Sequence, residues 1–452
     1  MMFGERLEIG LKLKLLSDLH IGSGHVSQKE QLGDPKDDGI PEFSEIIRDS
    51  ADCPVLTSTG LKGALRQATQ LEPEEVEDLL GKSGNEPGDS NIARLWIGMF
   101  RVDGNSDGRS FELAKEGCVV DHGYIRTGNA IDRKTGSADD KKLYNQEWIE
   151  AGTEFGGRLT LFWEGKDAAE RDALIVQVAS LLAPLWSPDG LAIGADRRHG
   201  AGRLVFEAMS CTEYTIDVST LSLVPKPSPD AERRIAEIAS KPCSSDDTIQ
   251  RARLRLICDG PFISIRAKVP EGDDNREVTK PLRRNGRPHL WPSSFLGSLR
   301  SAASWFAELE RVRSGESNED DALPCDDMGK TVVNSSELSR LTSIERLFGV
   351  SGWRGLVRVD RLEPVGTSGT VCLKSVSIDR FTGGAMDQRL FTEEVFENVT
   401  FELDLSLDPA PRSNPSDATA FRKLVNQLTD GHILELGHGG SKGFGWFTVE
   451  AR

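Results

Sequence analysis

One ordered set of motifs occurs twice along this chain of 452 residues. Ile131-Asp132-Arg133-Lys134-Thr135-Gly136 recurs as Ile378-Asp379-Arg380-Phe381-Thr382-Gly383. The stretch Pro54 to Arg66 returns as Pro288 to Arg300, Val76 to Gly81 as Ile344 to Gly349, Gly98 to Asp103 as Gly355 to Asp360, and Gly194 to Gly202 as Gly437 to Gly445. Each partner is displaced by roughly 240 residues and the order is kept, which is the mark of an internal duplication. The chain must therefore fold as two similar units, each long enough to bury its own core. The expected boundaries are a first unit over 1–215, a linker over 216–249 and a second unit over 250–452. The linker is read from Pro225-Lys226-Pro227-Ser228-Pro229 and Ser244-Ser245-Asp246-Asp247, with one short helix near 231–239. An acidic, Ser-rich insertion at about 311–340 has no counterpart in the first unit.

Within a unit, Leu7, Ile9, Leu11, Leu13 and Leu15 alternate with mostly polar neighbours and predict a half-buried strand. Pro54 to Arg66 reads as a strand turning into a helix. A strand follows at 97–103, then an Ile-Asp-Arg-x-Thr-Gly hairpin whose Asp and Gly supply the turn. Leu159 to Trp163 is a strand, residues 171–185 are a helix, and a glycine-rich loop leads into a last strand. That order predicts an α+β chain of two tandem ferredoxin-like (RRM-like) domains, each with a hairpin insertion and a glycine-rich loop.

The formal charge of −17 argues against non-specific nucleic-acid binding. Its acids cluster at 72–75 and 316–327, away from the repeated motifs, so local basic surfaces survive. Seven cysteines without a C-x-x-C pair point neither to a zinc site nor to a disulfide framework. No apolar run reaches membrane-spanning length and the N-terminus lacks a signal-peptide core, so a cytoplasmic protein without membrane contact is expected.

The Ile-Asp-Arg-x-Thr-Gly segments, the His20-Ile21-Gly22-Ser23-Gly24 string, the Pro54 motif and the glycine-rich loops together resemble the RAMP superfamily. More narrowly, they are similar to the CRISPR-associated protein 7 family, the backbone of type III CRISPR RNA-guided complexes. Two copies in one chain resemble the fused backbone subunits of type III-D complexes. The resemblance implies partners: a guide crRNA, a target RNA and further type III effector subunits, among them a large polymerase-like subunit, other RAMP subunits and small subunits. It also implies that each hairpin is a thumb pressed into the guide–target duplex.

Candidate RNA contacts follow on these motifs. In the hairpins they are Arg126, Asp132, Arg133 and Thr135, and Asp379, Arg380 and Thr382. At the helix starts they are Ser58, Lys62 and Arg66, and Ser293, Ser294 and Arg300, because a helix N-terminus offers unpaired N–H groups to a phosphate. Leu296 stands where the first copy has Lys62. The glycine-rich loops contribute Arg197, Arg198, Gly200 and Gly202, and Gly440, Lys442 and Gly443, the glycines allowing close approach to a phosphate. His20 is a further candidate, with a hydrogen-bonded structural histidine as the alternative.

In target-cutting members an aspartate in the loop after the first strand promotes metal-dependent scission. Here that implies Asp37 and Asp38, and Asp273 and Asp274, with Asp38 and Asp274 as ligands of magnesium or manganese. The spacing to Pro54 and Pro288 differs between the copies. A non-catalytic crRNA-binding scaffold and a capping RAMP subunit of the same kind of complex stay open as alternatives.

Overall fold

The computed structural model describes residues 5–28, 42–82, 92–102, 119–120, 123–131, 138–163, 168–217, 219–220, 222–241, 250–264, 266–271, 276–314, 341–350, 352–408 and 415–452. Asp37, Asp38, Asp273, Asp274, Asp132, Arg133 and Thr135 lie outside the described residues, as does 315–340 of the acidic insertion.

The predicted alternation becomes strand β1 (Arg6–Leu15), whose Leu7, Ile9, Leu11, Leu13 and Leu15 are all buried, because strand side chains alternate between faces. Helix α1 (Ser58–Ala68), strands β2 (Phe100–Val102) and β3 (Glu154–Phe162), helix α2 (Ala168–Leu182) and strand β4 (Arg203–Asp217) follow. The strands pair antiparallel in the order β4-β1-β3-β2. The second unit repeats this with β5 (Arg251–Phe262), α3 (Pro292–Ser314), β6 (Val357–Val365), β7 (Ala385–Leu407), α4 (Pro415–Thr429) and β8 (Trp446–Ala451). Its strand order, β8-β5-β7-β6, is the same. The fold is thus the expected pair of ferredoxin-like domains.

The helices of each unit contribute to that unit's own core. Leu61, Leu65, Leu174 and Val178 come from α1 and α2, and Phe295, Leu299, Phe421 and Leu424 from α3 and α4. Each such side chain contributes about 1.5–3 kcal/mol by leaving water. The stretch read as a linker is mostly part of the first unit. Ser222–Pro227 extends the sheet beside β4, and a helix over Pro229–Ala239 buries Ala231, Ile235 and Ala239. Those three positions recur every four residues and form an apolar stripe, a signal that the surrounding prolines masked. Among the described residues no helix is long and apolar enough to cross a membrane.

Candidate nucleic-acid interface

The two thumb-like hairpins share one register. The first is built from Gly123–Ile131 and Ala138–Ile149, the second from Gly369–Ile378 and the start of β7. Asn129 pairs with Leu143 and Ile131 with Ala138; Val376 pairs with Leu390 and Ile378 with Ala385. The repeated motif of the second copy is therefore the turn itself. In the second copy, Asp379 Oδ1 accepts from the backbone N–H of Phe381 at 2.7 Å and of Thr382 at 3.1 Å. Thr382 Oγ1 accepts from Gly384 N at 3.3 Å, and Gly383 takes a φ of 65°. These backbone bonds hold the Asp379 carboxyl below its usual pKa. Asp379 and Thr382 thus shape the turn, while Arg380 is exposed and Phe381 is 100% exposed. Ile378, Leu390 and Phe391 are exposed near it, making an apolar tip that motif reading passed over in favour of the charges.

A second hairpin lies beside each thumb. Gly22–Gln28 pairs with Glu42–Ile46, and Arg266–Glu271 with Arg276–Pro281. The return strand of each runs parallel to the thumb, through Ser44 with Gln146 in one unit and Thr279 with Glu393 in the other. Asp37 and Asp38 in 29–41, and Asp273 and Asp274 in 272–275, fall between equivalent strands, although their spacing to the proline motifs differs. The return strand is tied to the thumb base by an ion pair in each unit. Arg48 meets Glu147 at 2.6 Å, where Glu147 also accepts from Ile46 N at 2.9 Å, and Arg283 meets Glu394. Sequence reasoning missed this pair. The signal was there, since an Arg precedes each proline motif and a Glu follows each thumb turn.

The helix starts differ between the units. Thr57 caps α1 by accepting from Gly60 N at 3.1 Å, so Ser58 is the first helical residue. Lys62 is half-buried one turn in, and burial, then repulsion from Arg66, pulls its ammonium below the usual pKa. Arg66 donates to the carbonyl of Gly81 at 2.7 Å, and Arg300 donates to that of Gly349 at 2.8 Å. Both arginines thus bind the C-terminal glycine of a neighbouring short helix. Ser293 accepts from Arg126 Nη2, and the Arg126 guanidinium lies 4.1 Å from the Trp291 ring centre. The base of the first thumb therefore rests on the helix start of the second unit. Ser294 is exposed, and Leu296 is buried in the core where Lys62 reaches the surface. His20 is buried too, its Nδ1 donating to the Glu147 carbonyl at 2.6 Å.

The glycine-rich loops match bond for bond. Positive φ falls on Gly194, Asp196, Gly200 and Gly202 in one, and on Gly437, Gly439, Gly443 and Gly445 in the other. Gly202 and Gly445 admit no side chain, since a Cβ would lie 1.9 Å from the Ile193 or Leu436 carbonyl oxygen. Their surroundings diverge. The first loop docks on the second unit: Arg198 donates to the Phe348 carbonyl, Arg203 pairs with Asp360 at 2.9 Å, and a Cβ on Gly200 would lie 2.9 Å from Val359 O. Arg197 donates to Gln67 at 2.8 Å. In the second loop Gly443 faces open space, Gly440 is buried, and Lys442 is half-exposed while pairing with Glu393 at 3.0 Å.

The duplicated ferredoxin-like sheets, the matched thumbs and the matched loops agree with a family comparison, in which the model described as the RAMP superfamily matches residues 12–205 and 261–448. The chain belongs to the RAMP superfamily. Membership suggests a CRISPR-associated RNA-binding subunit. Comparison with curated proteins gives no match. In this RAMP protein no cluster of three or more His, Cys, Asp or Glu side chains with metal-binding spacing occurs among the described residues.

Proposed function

We propose that this RAMP protein is a two-unit backbone subunit of a type III CRISPR effector that holds guide crRNA and cuts paired target RNA. The observation that carries the reading is the repetition, in one register, of a thumb flanked by an acid-bearing hairpin. Backbone contacts to sugar and phosphate suit a protein that must accept any guide sequence. Lys62, Ser294, Arg380 and the open face of the second glycine-rich loop supply such contacts. Asp37, Asp38, Asp273 and Asp274 would supply hard oxygen ligands to a magnesium or manganese ion. The ion would offset charge developing at the scissile phosphate. Lys62 adds a cation in the first unit that Leu296 withholds in the second, so the two centres should differ in rate by up to roughly a hundredfold.

The test is cleavage of end-labelled complementary RNA by the assembled complex, with magnesium, with manganese and with EDTA. Asp37→Ala with Asp38→Ala should remove one product, and Asp273→Ala with Asp274→Ala another, while target binding persists. A quadruple variant that cuts like wild type would leave a non-catalytic crRNA scaffold as the function.

A further inference from the structure

Where the first glycine-rich loop meets the second unit, the two halves line an open cleft of about 260 Å³. Arg197, Arg198 and Arg203 line it from the first unit, and Arg354 and Arg358 from the second. Asp360 accepts from both Arg203 and Arg358 at 2.9 Å, Asp408 accepts from Arg354 at 2.9 Å, and Asp189 faces Arg251 at 3.6 Å. Five guanidiniums and only two carboxylates, Asp189 and Asp408, line the cleft, so its wall carries an excess of positive charge. Arg203 is 5% exposed, and its Nε is buried without a hydrogen-bond partner. Burial first, and then the like charge of Arg354 or Arg358 across the cleft, pulls the Arg197 and Arg203 guanidiniums below their usual range. An arrangement in which arginines of two units face each other with donors left over is completed by a doubly charged, multi-acceptor anion.

We propose that this cleft is a binding site for a phosphate group, carried by inorganic phosphate or a mononucleotide, which bridges the two units. The volume lies below that of ordinary drug-sized pockets and suits a small ligand better than a polynucleotide strand. No residue of the described thumb strands lines it, and neither does any residue used to test RNA cleavage.

The experiment is equilibrium dialysis of the full chain, freed of nucleic acid, against labelled inorganic phosphate and, separately, AMP, at constant ionic strength set by chloride. Saturable binding of one equivalent is expected with a dissociation constant of about 1 mM or tighter, weakened roughly tenfold by Arg354→Gln or Arg358→Gln. Tighter binding of AMP than of phosphate would assign a mononucleotide, and equal binding the free anion. Absence of saturable binding, or binding unchanged in both variants, overturns the site. Displacement of phosphate by a guide-length oligoribonucleotide also overturns it, by placing the arginines on the RNA path. Should the variants fail to fold, the wild-type melting temperature at constant ionic strength decides: if the site exists it begins to rise at phosphate concentrations near the dissociation constant found by dialysis and follows the logarithm of phosphate concentration above it. A rise only at concentrations of roughly several hundred millimolar, the general salting effect of phosphate, overturns it.

Discussion

Removing Arg284 should reverse the pH dependence that Asp18 gives to this protein. Asp18 is 7% exposed, receives two bonds from Arg284, one of 2.8 Å, and accepts from Tyr124 Oη at 2.8 Å and Ala151 N at 2.9 Å. Burial alone would raise its pKa, but the charge and hydrogen bonds of Arg284, with those from Ala151 and Tyr124, hold it below the usual 3.8. Two charges about 4 Å apart at an effective dielectric of about 20 attract by about 4 kcal/mol. Breaking such a pair from one side costs about 3–5 kcal/mol. In Arg284→Met the carboxylate keeps Tyr124 and Ala151 but loses its counter-charge, and burial then raises its pKa above the unfolded value. The signs follow from linkage. In wild type the Asp18 contribution is present above about pH 4 and is lost as pH falls through the depressed pKa. In Arg284→Met, stability is lost as pH rises through the elevated pKa, at up to about 1.4 kcal/mol per pH unit. Urea unfolding followed by tryptophan fluorescence at pH 7 and pH 5 should show the single variant recovering stability on acidification. The double variant Asp18→Asn with Arg284→Met should lie within about 1–2 kcal/mol of wild type at both pH values. A single variant that weakens further at pH 5, relative to the double, would refute the assignment of Asp18 as a buried charge held by Arg284.

Arg48→Met leaves Glu147, whose side chain is 4% exposed, short of its counter-ion; the first thumb should exchange amide hydrogens faster while the second is unaffected, and Arg283→Met should do the reverse. Gly445→Ala forces a Cβ onto the Leu436 carbonyl and should abolish soluble expression, whereas Gly443→Ala, with positive φ but open space, should cost about 1–2 kcal/mol by chemical denaturation. Phe381→Ser should leave the melting temperature unchanged, because the ring touches solvent alone, while shifting or weakening the target cut nearest the second thumb in the end-labelled assay.

The fold was legible because its signals are local. Alternation in Leu7 to Leu15 needs nothing beyond the strand to be read, and five motifs in one order needed no coordinates to imply two units. The thumb turn was legible for the same reason, as Asp379 and Gly383 form it within six residues. The partners of the arginines were not. Arg66 and Arg300 lie beside helix starts in sequence, yet their hydrogen bonds run to Gly81 and Gly349, and only packing sets that direction. Arg198 and Arg203 carry the composition of a grip on the RNA backbone, but they face a cleft shared with the second unit, and one unit's sequence says nothing about what lies against it. For His20 the sequence left an RNA contact and a hydrogen-bonded structural histidine both open, because its burial against the thumb strand depends on a contact 127 residues away.

Two ion pairs that join the units among the described residues have no duplicate. By the loop alignment Arg203 corresponds to Trp446 and Asp18 to Pro261, so neither the Arg203–Asp360 nor the Asp18–Arg284 pair recurs elsewhere in the chain by symmetry. Two identical chains would display every substitution on both copies at once, and a change that helped one surface would be imposed on the other. A single gene encoding both copies escapes that constraint. Leu296 can pack the core of one unit while Lys62 reaches the surface of the other, and each copy is free to diverge from its twin.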